Sequence, residues 1–146
     1  MLSAKFIKPS DGEFEFVKSI RRSVFIEEQK IDESEEWDSH DEKSSNADFV
    51  VVFYGSIPVG TGRIIKCNGF VKLGRIAVLK QYRRLHAGAA VVAALKEKAM
   101  QNGEADIRVD AQVQAAPFYE KQGFKIISGE IFKDAGIDHV AMKLVK

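Results

Sequence analysis

Leu73-Gly-Arg-Ile-Ala-Val-Leu-Lys-Gln-Tyr-Arg-Arg-Leu-His-Ala-Gly88 is the stretch on which the fold turns. It begins as a buried strand and passes through a polar, basic loop at Gln81 to His86. It then opens into a strong helix former, Ala87 to Met100, with Val91, Val92 and Leu95 facing inward. The first turn of a helix has free backbone N–H groups and a partial positive charge, which together favour an anion. Gly88 removes a side chain where a phosphate would approach, and Arg83 and Arg84 add charge. An ordinary strand-to-helix connection with a solvated basic loop fits equally well, so this stretch alone leaves both readings open.

Upstream, Leu2 to Lys8 alternates as a strand, and Asp11 is placed to cap a helix carrying Phe14, Val17, Ile20, Val24 and Phe25 at helical spacing. Gln29 to Asn46 is polar and densely acidic; its like charges predict a solvated loop or a loose helix. Phe49 to Tyr54 and Ile57 to Lys66 read as strands joined at Gly55-Ser56. Asn68-Gly69 signals a tight hairpin, after which Phe70 to Val78 pairs back antiparallel. Downstream, Asn102-Gly103 closes the long helix. Ile107 to Ala111 is a short strand and Pro117 to Lys121 a short helix stopped by Gly123; Phe124 to Ile131 and Val140 to Val145 are the last strands. The sum is an α/β chain with a mixed sheet, antiparallel first and then crossed by helices.

The 146 residues suit one domain spanning 1–146. Composition is that of a soluble globular protein, 45% hydrophobic and 29% charged. No apolar run approaches the roughly 20 residues that span a bilayer, and no signal-peptide core opens the chain, so no membrane role is expected. A net charge of +1 gives no general footprint for nucleic acid. The single cysteine, Cys67, excludes an internal disulfide or a cysteine-based metal cluster and points to a reduced, cytoplasmic setting. No metal is expected.

Arg83-Arg84-Leu85-His86-Ala87-Gly88 resembles the acetyl-CoA motif of the GNAT N-acetyltransferases, Arg/Gln-x-x-Gly-x-Gly/Ala, departing from it at His86. That imidazole either crowds the pyrophosphate or points outward and leaves the backbone donors free. Asp110-Ala-Gln-Val-Gln-Ala-Ala-Pro-Phe-Tyr-Glu-Lys-Gln-Gly-Phe124 is similar to the second GNAT segment, a strand opening into a short helix with Phe-Tyr-x-x-x-Gly-Phe. Val24-Phe25-Ile26-Glu27-Glu28-Gln29 and the closing Phe132-x-x-Ala-Gly-Ile-x-His139-x-x-Met142 resemble the ElaA/YjcF-like branch.

The resemblance implies a twisted sheet of about six to seven strands with about four helices. It also implies direct transfer of an acetyl group from acetyl-CoA to a primary amine. It implies that the strand Arg75 to Val78, with Ile76 and Ala77 between, splays from Ile107–Ala111 to receive the pantetheine arm, with the Val78 N–H facing the thioester oxygen. The pyrophosphate would rest on N–H groups of Arg83, Arg84, Leu85, His86, Ala87 and Gly88, and Ala89, Gln114 and Phe118 would border the coenzyme. Tyr119 matches the family tyrosine near the coenzyme sulfur and is the expected general acid; otherwise it is a core aromatic whose hydroxyl meets a backbone group. His139 and Glu28 are the candidate bases: an imidazole accepts a proton near neutrality, and the N-terminal helix of this fold borders the acceptor.

The acceptor is expected among Arg21, Phe25, Glu28, Arg75, Gln112 and His139. Arg21, Arg22, Arg63 and Arg75 suit an anion, since guanidinium holds a carboxylate or phosphate bidentately. The acidic run Asp32–Glu42 suits a polyamine or a lysine tail instead. Trp37 is either folded onto the body or left as a binding face. A small-molecule amine of amino-acid or amino-sugar type is the expected acceptor; a non-catalytic acetyl-CoA sensor and a peptide acetyltransferase are the alternatives. A homodimer is possible for such domains.

Overall fold

Alternating strands and one long amphipathic helix give a single mixed sheet with helices on both faces. The computed structural model describes residues 1–145. The strands are β1 (Leu2–Ile7), β2 (Asp48–Tyr54), β3 (Ile57–Lys66), β4 (Val71–Val78), β5 (Ile107–Gln112), β6 (Phe124–Ile126), β7 (Phe132–Asp134) and β8 (Ile137–Leu144). The helices are α1 (Phe14–Arg21), α2 (Glu33–Glu36), α3 (Ala87–Gln101) and α4 (Ala116–Lys121). The sheet runs β1-β2-β3-β4-β5-β8-β6, with β7 attached to β8.

Strand β2 is buried on both sides, which is why it reads as an unbroken apolar run. Val50 and Val52 join the cluster under α3, with Val91, Val92 and Leu95. Phe49 and Val51 join the opposite cluster, with Phe14, Val17 and Ile20 of α1. Each fully buried aliphatic side chain of this size stabilises the fold by about 1.5–3 kcal/mol. α3 lies close on β3 because Gly62 has no side chain; a Cβ there would stand 2.8 Å from Leu95 and 2.9 Å from Val91.

The site is created where two strands part. β4 and β5 form the parallel junction, yet they pair only at Val71–Ile107, Lys72–Arg108 and Leu73–Val109. Beyond Leu73 they diverge, and β5 continues to pair with β8 on its other side. The divergence begins at a bulge. Between the pairs Arg63–Gly74 and Thr61–Ala77, β4 places Arg75 and Ile76 opposite Gly62 alone. Such an extra residue bends a strand and increases its twist. It also shifts the inside-outside alternation: Val71 and Leu73 face the α3 cluster before the bulge, Ile76 and Val78 after it.

Four sequence expectations change. Asp11 does not cap α1: its carboxylate accepts from the Lys8 N–H at 2.8 Å, closing the preceding turn, and the helix begins after Glu13. The helical periodicity through Phe25 continues as a wider π-helix over Arg22–Glu28, which buries the neighbours Val24 and Phe25 together. The acidic segment takes the helical alternative, as the short α2 with a tight turn at Ser39–Asp41, but it is tied down rather than solvated, with Glu36 buried. The expected strand Phe124–Ile131 stops at Ile126, and a separate hairpin, β7–β8, forms through Ala135 (φ 51°) and Gly136 (φ 79°).

Candidate active site

The loop between β4 and α3 presents a row of unpaired backbone donors. Among the described residues, the N–H groups of Arg84 through Ala89 donate to no group of the chain; the first amide to reach back is Ala90, to the His86 carbonyl at 3.0 Å. His86 adopts the left-handed conformation (φ 64°) at the helix N-cap, where glycine would be free of strain, and its side chain is exposed. A Cβ at Gly88 would lie 3.5 Å from Phe118 and 3.8 Å from Val78, ordinary contact distances. Leu85 is exposed, Ala87 is buried in the α3 core, and Ala77 is buried on the α1 face, so Ala77 can meet a ligand in the gap through its backbone only.

Arg83 does not stand free beside this row. Its Nη1 and Nη2 donate to both Glu28 oxygens at 2.6 and 2.7 Å, and its Nε donates to the Val78 carbonyl at 3.0 Å. The bonds from Arg83 hold the Glu28 carboxyl below its ordinary range, which weakens it as a base. Arg83's own N–H is taken by Lys80, leaving Arg84 onward as the open donors.

A cavity of about 430 Å³ opens where β4 and β5 separate, floored by Lys72, Gly74, Asp110 and Gln112 and walled by Tyr119 and His139. Tyr119 is wedged edge-on against Phe118 and Phe124, with centroids 5.0 and 6.0 Å away. Burial pushes its phenol up to about 12, so the hydroxyl keeps its proton at neutral pH. Among the described residues that hydroxyl has no hydrogen-bond partner, so it is not the backbone-tied core tyrosine of the alternative reading. His139 pairs across the sheet with Gln112 and stacks on Phe132 at 5.9 Å. Its Nδ1 lies 2.7 Å from the Ile137 carbonyl, an acceptor, so Nδ1 carries a hydrogen.

An ion-pair network backs the far wall, where Glu36, Asp38 and Arg63 line the cavity. Arg21, wholly buried, donates from Nε to Glu36 at 2.7 Å, from Nη1 to Asp41 at 2.6 Å and from Nη2 to the Glu36 carbonyl at 2.8 Å; Trp37 covers it, with the ring centroid 4.7 Å away. Arg63 grips Asp38 with bonds of 2.8 and 2.6 Å. Arg22 pairs with Glu33 at the surface. Arg21 is thus no substrate ligand: it is outside the cavity and its donors are spent. The acidic run is held by arginines from other elements, and Trp37 is folded onto the body.

Comparison with known proteins meets this geometry. The acetyltransferase (GNAT) domain family matches residues 19–146. The chain belongs to the GNAT family. It is similar to the uncharacterized N-acetyltransferase YjcF of Bacillus subtilis, 39% identical over 123 residues that cover 84% of this chain and 86% of that one. Its fold superposes on Escherichia coli ElaA with a TM-score of 0.85 at 20% identity, covering 99% and 100% of the two chains. It also superposes on the PaiA N-acetyltransferase of Thermoplasma acidophilum, solved with coenzyme A, with a TM-score of 0.71 at 13% identity, covering 100% and 99%. The branch resemblance and the GNAT fold are both found, with eight strands rather than six or seven. No helix among the described residues is long and apolar enough to cross a membrane.

Within this GNAT domain, Phe25, Arg75, Ile76, Gln112, Tyr119 and His139 come together on one cavity. Gln114 does not line it; its amide donates to Gln112 at 2.7 Å, and Gln112 donates in turn to Gln29 at 3.0 Å. The sequence reading missed Lys72 and Asp110, which form an ion pair of 2.9 Å beside the last β4–β5 pair. Alternation was the available signal, since both are the polar positions of otherwise buried strands. It also missed the Asp134–Ile137 turn at the cavity mouth.

Proposed function

We propose that this protein transfers an acetyl group from acetyl-CoA to the primary amine of a small molecule held in the cavity between β4, β5 and the β7–β8 hairpin. The observation that carries the reading is the parting of β4 from β5 beside six unpaired amides, with Tyr119 and His139 on the shared cavity. Arg84 to Ala89 would hold the diphosphate on their N–H groups, and the free edge of Gly74–Val78 would pair with the pantetheine arm. When bound, the coenzyme supplies a thioester carbonyl open to direct attack by an amine.

The chain's own residues then supply orientation and two proton sites. His139 Nε2 accepts a proton from the incoming ammonium; Glu28, committed to Arg83, is the weaker candidate. The Tyr119 hydroxyl, protonated and unpartnered, donates to the departing sulfur. The Val78 N–H faces the carbonyl oxygen as charge develops there. A lone free thiol, Cys67, suits a cytoplasmic enzyme.

Calorimetry with acetyl-CoA followed by a thiol-release assay over a panel of small amines and peptides tests the proposal. Binding together with release on small amines is the expected result. Coenzyme binding without release on any amine would make the chain a sensor, and release on peptides alone would make it a peptide acetyltransferase.

A further inference from the structure

Of the four arginines that suit an anion, one keeps a free edge. Arg21 and Arg63 are closed by short carboxylate bonds, and Arg22 is paired at the surface away from the cavity. Arg75 lines the cavity with a quarter of its side chain exposed. Its Nε and Nη2 donate mainly to the Glu36 carbonyl, at 3.3 and 3.0 Å, a neutral acceptor. The nearest carboxylate oxygens, on Glu36 at 3.3 Å and Asp38 at 3.8 Å, are bound more tightly by Arg21 at 2.7 Å and Arg63 at 2.6 Å. Arg75 Nη1 donates to nothing among the described residues. Burial, together with the charges of Arg63 and Arg21, pulls its guanidinium below the ordinary value despite Glu36 and Asp38.

The backbone points the same way. Arg75 is the bulged residue of β4, held at φ 50°, a left-handed conformation that strains an ordinary residue and that glycine adopts freely. An unbulged strand would turn position 75 to the α3 side with Val71 and Leu73; the extra residue turns it to the cavity. On the same wall, Arg63 Nε is buried without a hydrogen-bond partner. Strain kept at one guanidinium, beside a second unsatisfied donor, is the mark of a site built for an acceptor atom the chain does not itself provide.

We propose that Arg75 is the acceptor-specificity residue and binds an anionic group on the substrate. The acceptor is then a small amine that also carries a carboxylate or a phosphate, and not a polyamine. This rests on the amine-acetylating reading of the same cavity.

The test is thiol release by the full chain with saturating acetyl-CoA on matched pairs: amino acids against their amides, aminoalkyl phosphates against the corresponding amino alcohols, and diamines alongside. The anion-bearing member of a pair is expected to be preferred in kcat/KM by about 10- to 100-fold, the range of one charge-assisted contact. The two kinds of pair separate carboxylate from phosphate. Arg75→Gln should collapse that preference, chiefly through KM, and Arg75→Lys should restore part of it. Arg75→Gly, suited to φ 50°, repeats the test should Arg75→Gln fold poorly. Preference for diamines or neutral members would overturn the inference, as would Arg75 variants that lower both members of each pair equally, the outcome expected if Arg75 only ties down the α2 carbonyls. Coenzyme binding with no release on any amine would instead sink the transferase reading, and this inference with it.

Discussion

Replacing Arg21 by methionine separates a structural role from a substrate role, because the two predict opposite results. Arg21 is wholly buried and is the shortest-range partner of Glu36 and Asp41, which are themselves buried or nearly so. Removing one member of a buried ion pair costs about 3–5 kcal/mol, since the charge left behind is neither hydrated nor paired. Here Glu36 keeps Arg75 at 3.3 Å and Asp41 keeps Arg63 at 3.2 Å, so the loss belongs at the low end, about 3 kcal/mol. Unfolding entropy for 146 residues is about 0.3 kcal/mol per kelvin, which converts this to a fall in Tm of about 10 °C. Burial already raises the Glu36 carboxyl above its ordinary value, and loss of Arg21 raises it further. A raised carboxyl folds best when protonated, so the deficit should shrink as the pH is lowered towards the carboxylate range. Thermal melts at pH 7 and pH 5 read both effects, and Arg21→Met with Glu36→Gln should recover part of the loss. A Tm within about 3 °C of wild type, combined with a raised KM for the amine, would refute this reasoning and return Arg21 to the substrate.

Three further outcomes follow from the same geometry. Tyr119→Phe should lower kcat by about 100-fold with little change in acetyl-CoA binding, measured by calorimetry and steady-state kinetics; an unchanged kcat with chemistry rate-limiting removes the acid role. His139→Gln should depress kcat in steady-state assays, whereas Glu28→Gln should chiefly loosen the Arg83 contact and leave kcat close to wild type. Burial alone would push Asp38 up, but its bonds to Arg63 and the charges of Arg63 and Arg75 outweigh it and hold the carboxyl at about 2, against 3.8 ordinarily. Its stabilisation is therefore present above the ordinary value and lost as the pH falls towards 2. After allowance for its partial exposure it amounts to about 1–2 kcal/mol, and chemical denaturation of Asp38→Asn at pH 7 and pH 3 should show the gap closing.

What was legible in the sequence is what local chemistry decides. β3 spans Ile57–Lys66 as read, and α3 starts at Ala87 as read, because alternation and an Ala/Val run carry the signal within a few residues. Asp110 to Phe124 likewise folds as strand, turn and short helix, with Gly123 at φ 98° ending it. What escaped depends on partners far along the chain. Glu36, Asp38 and Asp41 look like mutually repelling surface charges until Arg21, Arg63 and Arg75 arrive from a helix and two strands. Arg83 and Glu28, 55 residues apart, each looked available for a ligand and instead hold each other. The Ala135-Gly136 turn lacks the asparagine or aspartate that usually announces a tight hairpin, so β7 was invisible. At the site itself the tyrosine and the histidine were readable from motif residues. The choice among four arginines was not, because only packing shows which one still has an unused donor.

The single supernumerary residue in β4 makes this segment intolerant of length change. Deleting position 75 would let Ile76 and Ala77 slide into continuous register with β3, giving a straighter and better-bonded ribbon. The same repair would remove the bend that carries β4 away from its parallel neighbour, and the cleft would heal shut. A one-codon deletion here should therefore close the gap between the two strands while also removing the Arg75 contacts to Glu36 and the α2 carbonyls.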